Sequence, residues 1–258
     1  MTLVVLDPDG RHAAECPGWL ADAGDEPHLI TGRAGLHPGF ARVTVVERYD
    51  RGTAAELAVL ETAARTPVRA VIAVAPVDQV RAAGLRERLG LPGQSREAAL
   101  TLADSVAAHA LLTRAGIPTT PRAEVRRVAD LYWWAHRWGY PLAVRPRRGT
   151  DRPVIAELPD EAALRAAVAG GLLPADPALV PSLTVEPAVT GEVRREEGLL
   201  PLDGVLPADP GHPYAVETVR GPDGGRLVHA VRYDPGARPA RELVRAQAGI
   251  GARFPEVV

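Results

Sequence analysis

The first third of the chain alternates short apolar runs with longer stretches of helical period. "LVVLD" (Leu3 to Asp7), "HLITG" (His28 to Gly32), "VTVVE" (Val43 to Glu47) and "AVIAVA" (Ala70 to Ala75) are rich in β-branched residues. Each is bounded by Gly, Pro or Asp, which marks it as a strand. Their apolar character is nearly continuous, as in strands covered on both faces of a parallel sheet. Between the last two lies "TAAELAVLETAAR", with Ala55, Leu57, Leu60 and Ala64 at roughly helical spacing. Strand, helix, strand in that order predicts an α/β body.

Beyond Ala75 the pattern turns helical. "DQVRAAGLRERLG" predicts a helix stopped by Gly90 and Pro92, and a second helix is expected from Ser95 to about Ala115, ended by Gly116-Ile117-Pro118. The middle of the chain returns to alternation. "VADLYWWAHRWG" is helical, "YPLAVRP" and "RPVIAEL" are extended, and "DEAALRAAVAGG" is helical with Asp160 as N-cap. "SLTVEPAV" is followed by a loop-rich acidic segment. "PYAVETVRGPDGGRLVHAVRY" reads as a hairpin turning at Gly221 to Gly225, and a last helix is expected over Ala240 to Ala248.

Composition narrows the class. The 258 residues, 46% hydrophobic and 24% charged, suit a globular protein of two modest domains or one body with an added lobe. A formal charge of -2 gives no global attraction to nucleic acid or to anionic membrane. No apolar run approaches the ~20 residues of a membrane span. The opening "MTLVVLDPDG" has neither the basic leader nor the apolar stretch of a signal peptide. A single cysteine, Cys16, excludes an internal disulfide and a cysteine-rich zinc site. A cytoplasmic protein without nucleic-acid or membrane partners is expected. All 30 basic residues are arginine, and asparagine is absent as well. Abundant Ala, Arg, Gly and Pro point to compositional bias, so an arginine where lysine is expected can be drift.

Several clusters carry candidate chemistry. "YPLAVRPRRGTDRP" delivers Arg145 at the end of a strand and follows it with Arg147, Arg148 and Arg152. Such a run is either an exposed basic loop or an anion site for phosphate or carboxylate. Trp134 and Trp138 lie one helical turn apart, which favours core packing, and an exposed tryptophan in that segment would mark a partner surface. Ser105 and His109 have i,i+4 spacing, but no strained elbow or nearby carboxylate pattern supports a nucleophile and base. The histidines show no metal-ligand spacing.

Four segments, "AVIAVAPVDQVRAAGLRERLGLPGQS", "DSVAAHALLTRAGIPTTP", "GYPLAVRP" and "LTVEPAVTGE", occur in an order and spacing that resemble the ATP-grasp family, in particular its carboxylate–amine ligases. The resemblance runs from Ala70 to Val189; the first 70 residues suit the family's preceding α/β domain, and the last 60 match poorly. It implies an acyl-phosphate chemistry with ATP and magnesium. It places Arg145 where a lysine reaches the nucleotide phosphates, with Arg147 and Arg148 in the phosphate-covering loop. Glu186 to Val189 fall at the hinge whose backbone faces adenine, and Glu192 where a ribose-binding acid lies. Glu217 and Glu256 are the candidate magnesium ligands.

The departures are as specific. Ser105 replaces the family's lysine after Asp104, the loop after Arg145 keeps one glycine, and the magnesium-site asparagine is missing. Arginine binds phosphate through a larger, planar fork, and a loop without glycines loses close backbone approach. The expected fold is α/β and ATP-grasp-like: an N-terminal parallel-sheet domain with helical connection over 1–116, a lid-like α+β lobe over 117–190 and a reduced C-terminal lobe over 191–258. Three functions stay open. The first is a degenerate protein with ATP and magnesium binding weakened or lost, serving as a nucleotide- or anion-binding scaffold for an active ligase or another pathway enzyme, or assembling with itself. The others are an active ATP- and magnesium-dependent ligase, and a small-anion or metabolite binder that uses no ATP.

Overall fold

The computed structural model describes residues 1–50, 52–149, 152–173, 182–189, 191–196, 202, 205–206, 209 and 211–251. It divides into two compact units. One comprises Met1–Ala99, Pro207–Pro213 and Tyr233–Val258, the other Leu100–Leu206 and Tyr214–Arg232.

The first unit is built on four parallel strands, β1 (Thr2–Leu6), β2 (Glu26–Thr31), β3 (Arg42–Val45) and β4 (Val68–Ala73), in the order β3-β2-β1-β4. Successive side chains of a strand leave on opposite faces, so the continuous apolar run of β1 feeds two cores. Val4 and Leu6 join Ile30, Val71 and Ala73 under α2 (Ala54–Arg65) and α3 (Gln79–Leu89). Leu3 and Val5 join Leu29 and Ile72, which pack with Cys16 and Leu20 of α1 (Cys16–Leu20) and with Val244 of α8 (Ala240–Gln247). Each fully buried Leu or Ile contributes roughly 1.5–3 kcal/mol of transfer free energy.

Two expectations need correction. "VTVVE" forms the edge strand β3, which among the described residues pairs only with β2, and Val43 and Val45, on one face of it, are exposed. The buried stripe of α2 is Ala55, Val59 and Thr62, at i, i+4 and i+7, whereas Leu57 is 55% exposed. The end of α3 is as predicted: Gly90 takes the left-handed conformation, φ +66°, that closes a helix without a Cβ clash.

The long helix expected from Ser95 to Ala115 is broken. It forms α4 (Arg96–Ala103) and α5 (Ser105–Arg114), with Asp104 extended between them at φ -119°, ψ 110°. Its carboxylate accepts from the N–H groups of Val106 and Ala107 at 3.0 and 3.1 Å. An aspartate competes with the backbone for hydrogen bonds and is more stable as an N-cap than inside a helix.

The second unit holds an antiparallel sheet of β5 (Ala123–Val125), β6 (Leu142–Pro146), β7 (Ala156–Leu158) and β8 (Leu183–Pro187), in the order β5-β8-β6-β7. Its apolar face packs Val125, Leu142, Val144, Leu158 and Val185 against Leu131 of α6 (Val128–Trp138) and Leu164 of α7 (Glu161–Ala169). Asp160 caps α7 through the N–H of Ala163, as expected. Trp134 and Trp138 stack with ring centroids 4.4 Å apart and pack against this core, while Trp133 is 61% exposed. A second sheet has the order β11-β10-β9, from β9 (Arg194–Glu196), β10 (Tyr214–Arg220) and β11 (Arg226–Tyr233). The hairpin turn falls as predicted, with the Gly221 N–H donating to the Gly225 carbonyl at 2.7 Å.

Candidate functional site

The alternation that buries Val144 and Val185 turns their neighbours to the opposite side of the sheet. Arg145 lies opposite Thr184, Ala143 opposite Glu186, and Glu124 of β5 also opposite Thr184. One face of the sheet is therefore apolar, and the other gathers Glu124, Arg145, Thr184 and Glu186.

Glu186 is the centre of this polar face and is 1% exposed. Arg145 Nε donates to one carboxylate oxygen at 2.7 Å, and Arg122 Nε donates to the other at 2.7 Å with a second contact from the same guanidinium. Arg122 also donates to the carbonyl of His229 at 3.0 Å. Burial pushes the Glu186 carboxyl up, but the charges of Arg122 and Arg145 outweigh it and hold the group below the ordinary carboxylate range. The His229 ring approaches Glu186 at 3.9 Å and hydrogen-bonds Thr120 Oγ1 at 3.3 Å. Burial lowers its imidazole to about 4; repulsion by Arg122, Arg145 and Arg152 adds to that, against the pull of Glu186. At neutral pH His229 is neutral.

A second hub forms at the broken helix. Asp104 receives Arg147 Nε at 2.9 Å and Arg148 Nε at 3.3 Å, and Arg147 Nη1 reaches Glu124 at 2.5 Å. Ser105 N–H and Oγ both donate to the Arg147 carbonyl, at 3.0 and 3.1 Å, and Gly149 N–H donates to the Ala103 carbonyl at 3.1 Å. The loop after β6 is thereby fastened to the junction of α4 and α5. Burial raises the Asp104 carboxyl, yet its bonds from Arg147, Ala107 N–H and Arg148 leave it lowered.

Beside the Glu186 hub is a cavity of about 110 Å³, lined by Arg122, Arg145, Arg152, Glu217, His229 and Arg232 among others. Glu217 of β10 and Arg232 of β11 are ion-paired across the hairpin. Arg152 is 8% exposed and has a left-handed backbone, φ +37°. Its carbonyl accepts from Arg145 Nη1 at 2.9 Å. Burial, with repulsion from Arg122 and Arg232, lowers its guanidinium to about 10.

The residues expected at a nucleotide site thus have different placements. Arg145 and Glu186 meet in an ion pair, and Glu217 shares the cavity with Arg145. Arg147 and Arg148 turn to Asp104 instead. Val189 is half-buried beyond the end of β8, and Glu192 has a side chain 75% exposed, 3.2 Å from Arg194. Glu256 lies outside the described residues, as do Thr150 and Asp151 of the basic loop. Ser105 donates to backbone, not to His109.

Among the described residues no group of three or more His, Cys, Asp or Glu side chains is placed to hold a metal ion. Glu217, the described candidate ligand, is held by an arginine.

Arg122, Arg232 and His229 carry the site without having been singled out in the sequence. For Arg232 and Glu217 a signal existed: both are charged residues inside hairpin strands that are otherwise apolar, "AVETV" and "HAVRY". Arg122, in "TTPRAEV", has no such signal.

No family model and no curated protein matches the sequence. Among solved structures, the chain is similar to an L-amino acid ligase from Bacillus licheniformis, with TM-score 0.67 and 16% identity over 96% of this chain and 73% of that one. The MgADP-bound biotin carboxylase domain dimer of the Hydrogenobacter thermophilus 2-oxoglutarate carboxylase gives 0.69 and 12%, over 98% and 70%. An ATP-grasp RimK domain protein from Sphaerobacter thermophilus gives 0.58 and 18%, over 96% and 97%. The chain has the mixed α/β fold of ATP-grasp enzymes.

Proposed function

We propose that this ATP-grasp-fold protein binds a nucleotide or small anion with its ligase chemistry weakened or lost, and serves as a binding or scaffold partner in a biosynthetic pathway. The observation that carries this reading is the commitment of its cations. Arg145 is bonded to buried Glu186, and Arg147 to Asp104 and Glu124. Phosphoryl transfer requires positive groups preorganised around the charge that develops in the transition state. Diverting Arg145 to a transferring phosphate weakens the compensation of a buried carboxylate, which is costly. Glu217, bonded to Arg232, is likewise not disposed toward a metal. The partner is a second copy of the chain or an active ligase; the dimeric Hydrogenobacter domain supports the first of these as an assembly this fold can make.

The test combines thermal denaturation of the full chain in ATP, ADP and MgATP with a phosphate-release assay in the presence of mixed amino acids. We expect stabilisation by an anionic ligand and no phosphate release above the protein-free control. Release stimulated by amino acids overturns the proposal in favour of an active carboxylate–amine ligase. No stabilisation by any nucleotide or by inorganic phosphate removes the binding role.

A further inference from the structure

We infer that the cavity at Arg152 is an oxyanion site that takes one small dianion, of the size and charge of inorganic phosphate, and leaves a nucleotide's base and sugar outside. The inference rests on the binding role proposed above and gives its ligand a chemical class.

The first support is charge. Four arginines, Arg122, Arg145, Arg152 and Arg232, surround the cavity, and two carboxylates, Glu186 and Glu217, answer them. His229 adds no charge at neutral pH because its imidazole titrates near 4. Among the described residues named here, the arginines outnumber the carboxylates by two in a largely buried place, where an uncompensated ion is strongly disfavoured. A dianion restores neutrality.

The second support is Arg152 itself. The residue is 8% exposed, and among the described residues no acceptor takes a hydrogen bond from its guanidinium. A guanidinium presents five N–H donors in a planar fork suited to oxyanions. The residue is fixed in place, since Arg145 Nη1 donates to its carbonyl while Arg145 Nε holds Glu186. Thr184 Oγ1 and Ser105 Oγ, both in the cavity wall, already donate to backbone carbonyls and offer lone pairs to an incoming O–H.

The third support is size. The cavity's volume is about 110 Å³. Sites that enclose a drug-sized ligand run to roughly 300–1,000 Å³. A phosphate-sized group matches this volume, and a whole nucleoside triphosphate would extend beyond it.

The test is thermal denaturation of the full chain in inorganic phosphate, compared with sodium chloride at equal ionic strength and with ATP. Wild-type protein is expected to show a saturable rise in Tm with phosphate that chloride does not give. Arg152→Gln should raise Tm in chloride, because it removes an uncompensated buried charge, and abolish the phosphate increment. This pairing of opposite signs is not expected of a merely structural arginine. Arg137→Gln, on an exposed residue of α6, should retain the full increment. If Arg152→Gln fails to fold, Arg152→Lys decides, with a phosphate midpoint about tenfold weaker expected from loss of the charged fork. Absence of a saturable phosphate effect, or its survival at wild-type strength in the Arg152 variants, overturns the inference. ATP stabilising where phosphate does not overturns it while leaving nucleotide binding intact, whereas amino-acid-stimulated phosphate release defeats the proposed function separately.

Discussion

The second unit builds two arginine clusters, and they differ in how their charges close. At the helix break, Arg147 and Arg148 meet Asp104 and Glu124, and the exposed Arg126 also reaches Glu124 at 2.9 Å, so each of these cations has a carboxylate partner. Asp104 also caps α5, and the hub ties the loop after β6 to the helix junction. At the cavity, four arginines face Glu186 and Glu217, and one of the four, Arg152, makes no ion pair among the described residues. The comparison teaches that a run of basic residues does not locate an anion site. The adjacent pair Arg147-Arg148 is consumed in structure, while the cations left for a ligand come from positions spread between 122 and 232.

The strongest way to disturb this contrast is Glu186→Gln. It leaves Arg122 and Arg145 without the carboxylate they share, with Arg152 close by, and breaking a buried pair costs about 3–5 kcal/mol. Urea denaturation should show a loss of this size, with phosphate restoring part of it; a loss below about 1 kcal/mol would deny Glu186 its central place.

Asp104→Ala comes next. Losing the cap costs about 1 kcal/mol and losing the partner of Arg147 adds to it, so about 2–3 kcal/mol is expected from the same measurement. Asp104→Asn should recover the cap portion only. Neither change should alter the phosphate response, since Asp104 does not line the cavity.

His229 sharpens the contrast through pH. Its folded value, about 4, lies below the unfolded value of 6.5, so the unfolded chain takes up the proton first on acidification. The stability associated with the neutral ring is complete above pH 6.5 and is lost as pH falls toward 4. The loss is on the order of 3 kcal/mol, and His229→Gln should flatten that part of the stability–pH profile. Glu186 acts in the same direction at lower pH, because its depressed carboxyl contributes stability that is lost on protonation.

The smallest effect is expected for Arg148→Ala. Its side chain is 63% exposed and reaches Asp104 at 3.3 Å, so the change should cost less than about 1 kcal/mol and leave the phosphate response intact. Loss of that response would move the anion site to the basic loop.

The fold was largely legible in the sequence, because its periodicities are local. The strands of the parallel sheet, the helices α2, α3, α6 and α7, and the hairpin turn follow from apolar spacing and from glycine, proline and aspartate punctuation. What escaped was set by neighbours distant in sequence. The edge position of β3 follows from strand order, and Leu57 faces solvent while Ala55, Val59 and Thr62 form the buried stripe of α2. The break at Asp104 had a local cause, but a helical period on both sides concealed it. The candidate site was legible only in part. Arg145 lies near the end of β6, where the sequence placed a strand-end cation, whereas its partners are fixed by strand register and by ion pairs spanning 41 positions to Glu186 and 64 from there to Arg122.

The most direct measurement is diffraction from crystals of the full chain equilibrated with selenate, whose anomalous signal marks its position. An anomalous peak within hydrogen-bond reach of the Arg152 and Arg145 guanidinium groups, with none at Arg147 and Arg148, is the predicted result. A saturated crystal with an empty cavity, or with its peak at the Arg147-Arg148 loop, would contradict the assignment of one cluster to structure and the other to ligand.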